Sequence, residues 1–424
     1  MGKINCKVAT SPPLSFDMTR PKRYEVAPYR EDADQCFPIL YNFFCKYGYH
    51  KIAKRLNFFC IFCHSIFYLL QVYYLIVNFS QRLITTYFSV MMLLLYMICV
   101  TIYLTTLEKT NEKLNGWLHS ISWSIDSSGI KAKQIILDRS TRNNRIYYAL
   151  FVLTLLIFIV NLPIGKNENE FYLCVEVFEN IFGNWSRIPS FIYFATMSYL
   201  VYANFRLPFM LLYAILQTHI QIFLLTEHIL HISDNFIDTR NGNIIIDDVL
   251  YQDKIKERLC LFTQQHCEIK RFVTKLCEVV QSVMPYFVIV AGIVNISLFF
   301  FILNNFSTVN HIFIIRITLL WISTIFILAI FCKTGQELIE ETGKFFDALG
   351  TCPWYTWNAK NKSTLLIFMA NSLKPLSFSF AGVVLDYKLA VTVSIPIVIV
   401  KIATFYFKAA SNECVVWTGL VSAQ

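Results

Sequence analysis

Three cations stand inside stretches of chain that are otherwise apolar: Arg206, Arg316 and Lys401. A charge at membrane depth is costly, so such a side chain must border water, meet a carboxylate or carbonyl, or reach back to the interface. Arg206 precedes Pro208, and Arg316 lies in the outer half of its stretch. Lys401 differs, because Thr392, Ser394 and Thr404 share its stretch. That polarity suits a helix bordering a water-filled conduit shared between subunits. Cys60 and Cys63 have Cys-x-x-Cys spacing, but in apolar surroundings they read as two small packing residues. The chain lacks a P-loop, a glycine-rich dinucleotide fingerprint, His-Glu-x-x-His and a nucleophile elbow. Neither an enzyme nor a metal or cofactor site is expected.

The elements that must hold these residues are long apolar helices. Seven stretches, 56–79, 83–107, 146–164, 189–216, 283–303, 309–332 and 387–407, reach the roughly 20 residues that cross about 30 Å of hydrocarbon. The segments 1–55, 108–145, 217–282 and 333–386, with Lys388, hold thirty of the 37 basic residues. Positive loops stay cytoplasmic, so the N-terminus is expected inside and the C-terminus outside, the inverse of a G-protein-coupled receptor. The net charge of +9 then faces anionic lipid, and no nucleic-acid partner is called for. Residues 1–40 are polar and proline-punctuated rather than a cleavable signal, which leaves the first span to direct insertion. Of the sequons, those at Asn78, Asn184 and Asn305 fall on the outer side, with Asn184 best placed for a glycan, and that at Asn361 falls inside.

The expected fold is an all-α membrane protein with seven transmembrane helices and cytoplasmic helical extensions forming an anchor bundle. The chain divides into a cytoplasmic segment 1–55, spans one to four in 56–216, extensions of spans four and five in 217–282, spans five and six in 283–332, an anchor segment 333–386, a pore-lining span 387–407 and an extracellular tail 408–424. Residues 255, 259, 262, 266, 269, 273, 276 and 280 repeat at alternating intervals of four and three, the mark of a helix with a narrow packed seam. His266 is the polar member of that seam, expected to be buried and hydrogen-bonded. Residues 211–232 and 333–346 prolong the fourth and sixth spans, 363–373 reads as a short amphipathic helix, and 43–56 as an interfacial one.

The closing third carries Lys333-Thr334-Gly335, Cys352-Pro353-Trp354-Tyr355, Asn371-Ser372-Leu373-Lys374-Pro375-Leu376, Ala381-Gly382 and Lys401-Ile402-Ala403-Thr404-Phe405-Tyr406-Phe407. In order and spacing this resembles the insect odorant receptor family. The resemblance implies an odorant-gated, non-selective cation channel in the plasma membrane of a sensory dendrite. It also implies a heterotetramer of tuning subunits with a shared coreceptor. The coreceptor carries a large insertion between spans four and five, and 217–282 is too short for it, so the chain looks like a tuning subunit.

Carried over by position, the anchor would use His266, Trp354, Lys374 and Pro375, and the pore Lys401 and Thr404. The narrowest ring would fall at Lys408 and Ala409, where the family usually has a bulky aliphatic residue. The odorant pocket would draw on Tyr87, Phe88, Met91, Phe158, Asn161, Tyr193, Met197, Ile317 and Trp321, with Tyr87 and Phe88 the foremost pair. Its partners would be the coreceptor, a volatile odorant and membrane lipid. A gustatory-type channel is the alternative, disfavoured because its terminal Thr-Tyr-five-residues-Gln-Phe pattern is missing. A transporter is disfavoured by the lack of repeated halves.

Overall fold

The computed structural model describes residues 36–160, 172–234, 248–282, 311–380 and 383–392, with parts of 289–297. Its helices are α1 (Lys51–Val77), α2 (Gln81–Thr106), α3 (Glu108–Ile121), α4 (Ile130–Val160), α5 (Leu173–Phe182), α6 (Arg187–Leu230), α7 (Val249–Gln281), α8 (His311–Thr351) and α9 (Ala359–Ser372). Two short strands, β1 (Ser379–Phe380) and β2 (Val383–Val384), pair antiparallel beside them. Among the described residues, four stretches are long and apolar enough to cross a membrane: α1, Thr86–Thr106 of α2, α6, and Thr318–Thr356 beginning in α8. Of the expected third crossing, 146–160 is helical at the end of α4, and 161–164 lie outside the described residues. The fifth and seventh lie mostly outside the described residues.

The helices outrun the membrane, and their excess builds a second core. At the rise of an α-helix, the 44 residues of α6 span about 66 Å. Its cytoplasmic stripe of Ile222, Leu225, Ile229 and Ile232 is buried against α7 and α8. The seam expected on α7 is buried as Ile255, Leu259, Phe262, His266, Ile269, Val273 and Leu276, with Val280 half-buried at its end. Asp248 caps α7 by accepting from the backbone of Leu250 and Tyr251. Gln252, one turn on, ties α7 to α9: its side-chain oxygen accepts from the Asn358 backbone at 2.9 Å and from Asn361 at 3.0 Å. Asn361 is therefore a buried joint, whereas Asn184 is exposed in the turn between α5 and α6.

An ion-pair cluster joins three helices within this cytoplasmic core. The Glu341 carboxylate of α8 lies 3.2 Å from Lys344, 3.6 Å from Arg139 of α4 and 3.8 Å from His219 of α6. Burial alone would raise its pKa, but His219 and Lys344 outweigh burial and hold it at about 2. Nearby, Gly335 allows a close approach: a Cβ there would sit 2.2 Å from the Leu385 carbonyl, so the β2 end packs directly on α8. This gives Gly335 of the Lys-Thr-Gly motif a packing reason.

The N-terminal junction differs from the expected interfacial helix over 43–56. A π-helical turn, Leu40–Lys46, and a 3₁₀ turn, Tyr47–Tyr49, precede α1 instead. Arg206 packs on this junction. Its guanidinium is buried, donates from Nε to the Phe44 carbonyl at 3.1 Å, and lies 5.0 Å from the centre of the Tyr49 ring. Arg316 is settled the same way. Its Nε donates to the carbonyl of Val160 on α4 at 2.8 Å, and it lies 5.5 Å from the Tyr172 ring.

Gly48 makes the first of these joints possible, because a Cβ there would fall 2.0 Å from Arg206 Nε. Gly48→Ala should therefore lower the melting temperature of the purified chain by several degrees. Gly116→Ala, on α3 with nothing within 4 Å, should leave it unchanged or raise it slightly. Equal melting of the two variants would show that Arg206 has room to move.

Candidate functional site

The outer core is aromatic, and Tyr193 of α6 is its hub. Tyr193 is fully buried, with ring centroids at 5.1 Å from His64, 5.3 Å from Phe194, 5.9 Å from Phe67, 6.2 Å from Phe178 and 6.5 Å from Tyr172. Tyr87, Met91 and Leu94 of α2 close one side, and Met197 packs against the edge. The rings meet mostly edge to face, the arrangement their quadrupoles favour. The result is a packed apolar cluster with few polar groups.

α5 covers this cluster from the connection between α4 and α6. Leu173, Cys174, Val177 and Phe178 are its buried face. Tyr74 of α1 latches it down, donating to Glu176 at 2.9 Å and accepting from Asn180 at 3.0 Å. This short helix thus covers the aromatic cluster by its apolar face and is tied to α1 by hydrogen bonds.

The sequence-derived site residues separate cleanly. Tyr87, Met91, Tyr193 and Met197 are brought together. Phe88 is not: it is 44% exposed, because adjacent positions on a helix point about 100° apart and Tyr87 takes the inward direction. Phe158, Ile317 and Trp321 stand on α4 and α8, but their side chains, like the whole of Asn161, lie outside the described residues. So do the pore positions Lys401, Thr404, Lys408 and Ala409. Of the anchor residues, His266 is buried, stacked on Phe345 at 5.1 Å and 12°. Its Nδ1 has no hydrogen-bond partner, contrary to expectation. Burial, with Lys270 adding to it, lowers its pKa to about 4. Trp354 is exposed, as are Lys374 and Pro375, and the fully buried indole next along is Trp357.

Sequence reasoning missed a polar seam on α1. Asn57, His64 and Gln71 recur every seven residues, buried with Cys60 and Phe67 on the face toward the other helices. His64 Nε2 lies 3.0 Å from Thr196 Oγ1, whose own proton goes to the Ile192 carbonyl at 2.7 Å. The Thr196 oxygen thus accepts from Nε2–H, and His64 Nδ1 is left as a buried acceptor facing no donor. A seven-residue polar period was the available signal.

A family model described as "7tm Odorant receptor" matches residues 75–396. Two solved structures share the fold, both of olfactory receptor OR5 from the insect Machilis hrabei. One has a TM-score of 0.57 at 13% identity, covering 83% of this chain and 87% of that one. The other, in complex with eugenol, has a TM-score of 0.57 at 12% identity, covering 88% and 97%. No curated protein matches.

The lid and hub can be tested without a ligand. Cys174 is fully buried against Tyr193. A polar maleimide should leave Cys174 unlabelled in the wild-type chain, as mapped by peptide mass spectrometry. Labelling should appear in Tyr193→Ala, and more slowly in Glu176→Ala. Ready labelling of the wild type would mean the lid does not seal the cluster.

Proposed function

The chain belongs to the odorant receptor family, and from that premise we propose that it is the odorant-binding, tuning subunit of a ligand-gated cation channel. The observation that carries this reading is the closed aromatic cluster around Tyr193 beneath the α5 lid. It offers apolar area and ring faces to a volatile molecule, which would enter by replacing ring–ring contacts with ring–ligand contacts of similar kind. Chain orientation follows the basic loops, with the N-terminus and the anchor bundle in the cytoplasm.

The route from ligand to pore is mechanical. The α6 helix holds Tyr193 near one end and the buried His219 contact to Glu341 on the other side of Pro208. The α8 helix is likewise continuous from His311 to Thr351 and packs extensively on α6. A shift of either helix at the aromatic cluster is thereby delivered to the cytoplasmic bundle, and through α9 to the last span. Odorant opens the pore only to the extent that it binds the open arrangement more tightly.

Assembly with a coreceptor in a heterotetramer fits the cytoplasmic surface. Trp354, Tyr355, Leu366, Ile367 and Leu373 are large apolar side chains left exposed on the single chain around α9. Apolar surface of this extent is what a partner subunit covers. Lys401 and Thr404 in the last span would face the shared conduit, with Lys408 and Ala409 at its narrow end.

Two measurements test the reading. Whole-cell cation current to a volatile panel should require both this chain and a coreceptor. Current from this chain alone would make it a self-sufficient channel, and uptake without current would make it a transporter. Within responding cells, Tyr87→Ala should reorder agonist potencies by about ten-fold or more, the scale set by loss of a buried ring. Phe88→Ala should keep the wild-type order. The opposite pattern would move the ligand to the far face of α2.

A further inference from the structure

The α3 and α7 helices frame a groove that odorant gating does not use. Only Leu107 separates α3 from the end of α2, so α3 leaves the membrane as it begins. The α7 helix returns toward the fifth span, antiparallel to α3. Three contacts fix that alignment. Near the membrane the Tyr103 hydroxyl donates to the Val279 carbonyl at 3.3 Å. Midway, Trp117 meets Phe272 edge to face at 5.7 Å. At the far end, Gln265 donates to the Ile121 carbonyl at 2.6 Å. Thr110 and Glu278 in the groove wall therefore lie at the inner headgroup level, and the groove runs from there into the cytoplasm.

The groove has a volume of about 890 Å³ and a one-sided charge. Lys113, Lys270, Arg271 and Lys275 line it against the single carboxylate of Glu278. The cations have only exchangeable partners. Lys275 pairs with Glu278 at 2.9 Å and Arg271 with Glu268 at 2.6 Å, both in solvent, and Lys270 donates to the Asn371 carbonyl at 3.3 Å. Exposed pairs of this kind are weakly held and give way to a multivalent anion. A second, independent feature points the same way. His266 is buried in the groove wall with its Nδ1 lacking a partner. A neutral imidazole can offer a ring N–H to an anionic oxygen.

We propose that this groove binds a multiply phosphorylated inositol group at the cytoplasmic face of the receptor. The volume far exceeds one phosphate and matches a ring bearing several. Lysines and an arginine spread along two helices give each phosphate its own cation, and Trp117 supplies an apolar floor for the ring. The group can arrive on a phosphoinositide lipid or as the free inositol phosphate. Occupancy would brace α7 against α3 at the point where α7 enters the fifth span.

The test uses the full chain in phosphatidylcholine nanodiscs, titrated with short-chain phosphatidylinositol bisphosphate and, separately, with inositol trisphosphate. The double variant Lys113→Gln/Lys270→Gln should bind about 25-fold more weakly, at about five-fold per basic residue near the membrane surface. Both side chains are exposed, so folding is not at risk, and an unchanged melting temperature verifies it. Lys131→Gln, an exposed cytoplasmic lysine outside the groove, should bind as the wild type does. Binding of both probes with this variant pattern supports the site and a soluble source. Binding of the lipid alone supports it with a membrane source. Equal weakening by Lys131→Gln, no weakening in the double variant, or no saturable binding of either probe overturns the proposal.

Discussion

Helix length is the constraint on which the rest of this structure depends. Two of its helices, of 44 and 41 residues, are about twice as long as the hydrocarbon is thick. An apolar stripe that is satisfied by lipid in one half has no such solvent in the other. The cytoplasmic halves of α6 and α8 must therefore bury their stripes against something, and the chain supplies α7, α4 and α9 for the purpose. The anchor bundle follows from span length.

The two intramembrane arginines illustrate how the chain uses a guanidinium to join segments. Each donates to a backbone carbonyl, and each lies over a tyrosine ring. Arg206 meets the carbonyl of Phe44 in a π-helical turn, and Arg316 that of Val160 on α4. Both residues are joints between segments distant in sequence. They hold the N-terminal segment to α6, and α8 to α4. Glu341 does the equivalent work in the cytoplasm, where opposite charges are at hand.

What could be read in advance depended on contrast within the sequence. The α7 seam was legible because apolar residues at intervals of four and three stand out against charged neighbours. In α1 and α2 every face is apolar, so periodicity could not tell the bundle side from the lipid side. Tyr87 and Phe88 looked equivalent for that reason, and packing separated them. The seam of Asn57, His64 and Gln71 was the one inward marker on α1, visible only at a seven-residue step. The partners of Arg206 and Arg316 were beyond reach, because a backbone carbonyl has no letter in the sequence. Trp354 and Trp357 show the same limit: both fall beside the closing motif, and only the fold decides which indole is inside.

The segment before α1 closes its hydrogen bonds late. The carbonyl of Cys36 accepts from Asn144 and Ser140, that of Phe43 from Tyr202 at 2.8 Å, and that of Phe44 from Arg206. Every one of these donors is made by the ribosome at least a hundred residues later. While the first spans are being inserted, the segment before α1 must wait on the cytoplasmic side with these acceptors open to water. It can dock only once α4 and α6 are in place. The docked N-terminal turn thus depends on the fourth span having been inserted the right way round.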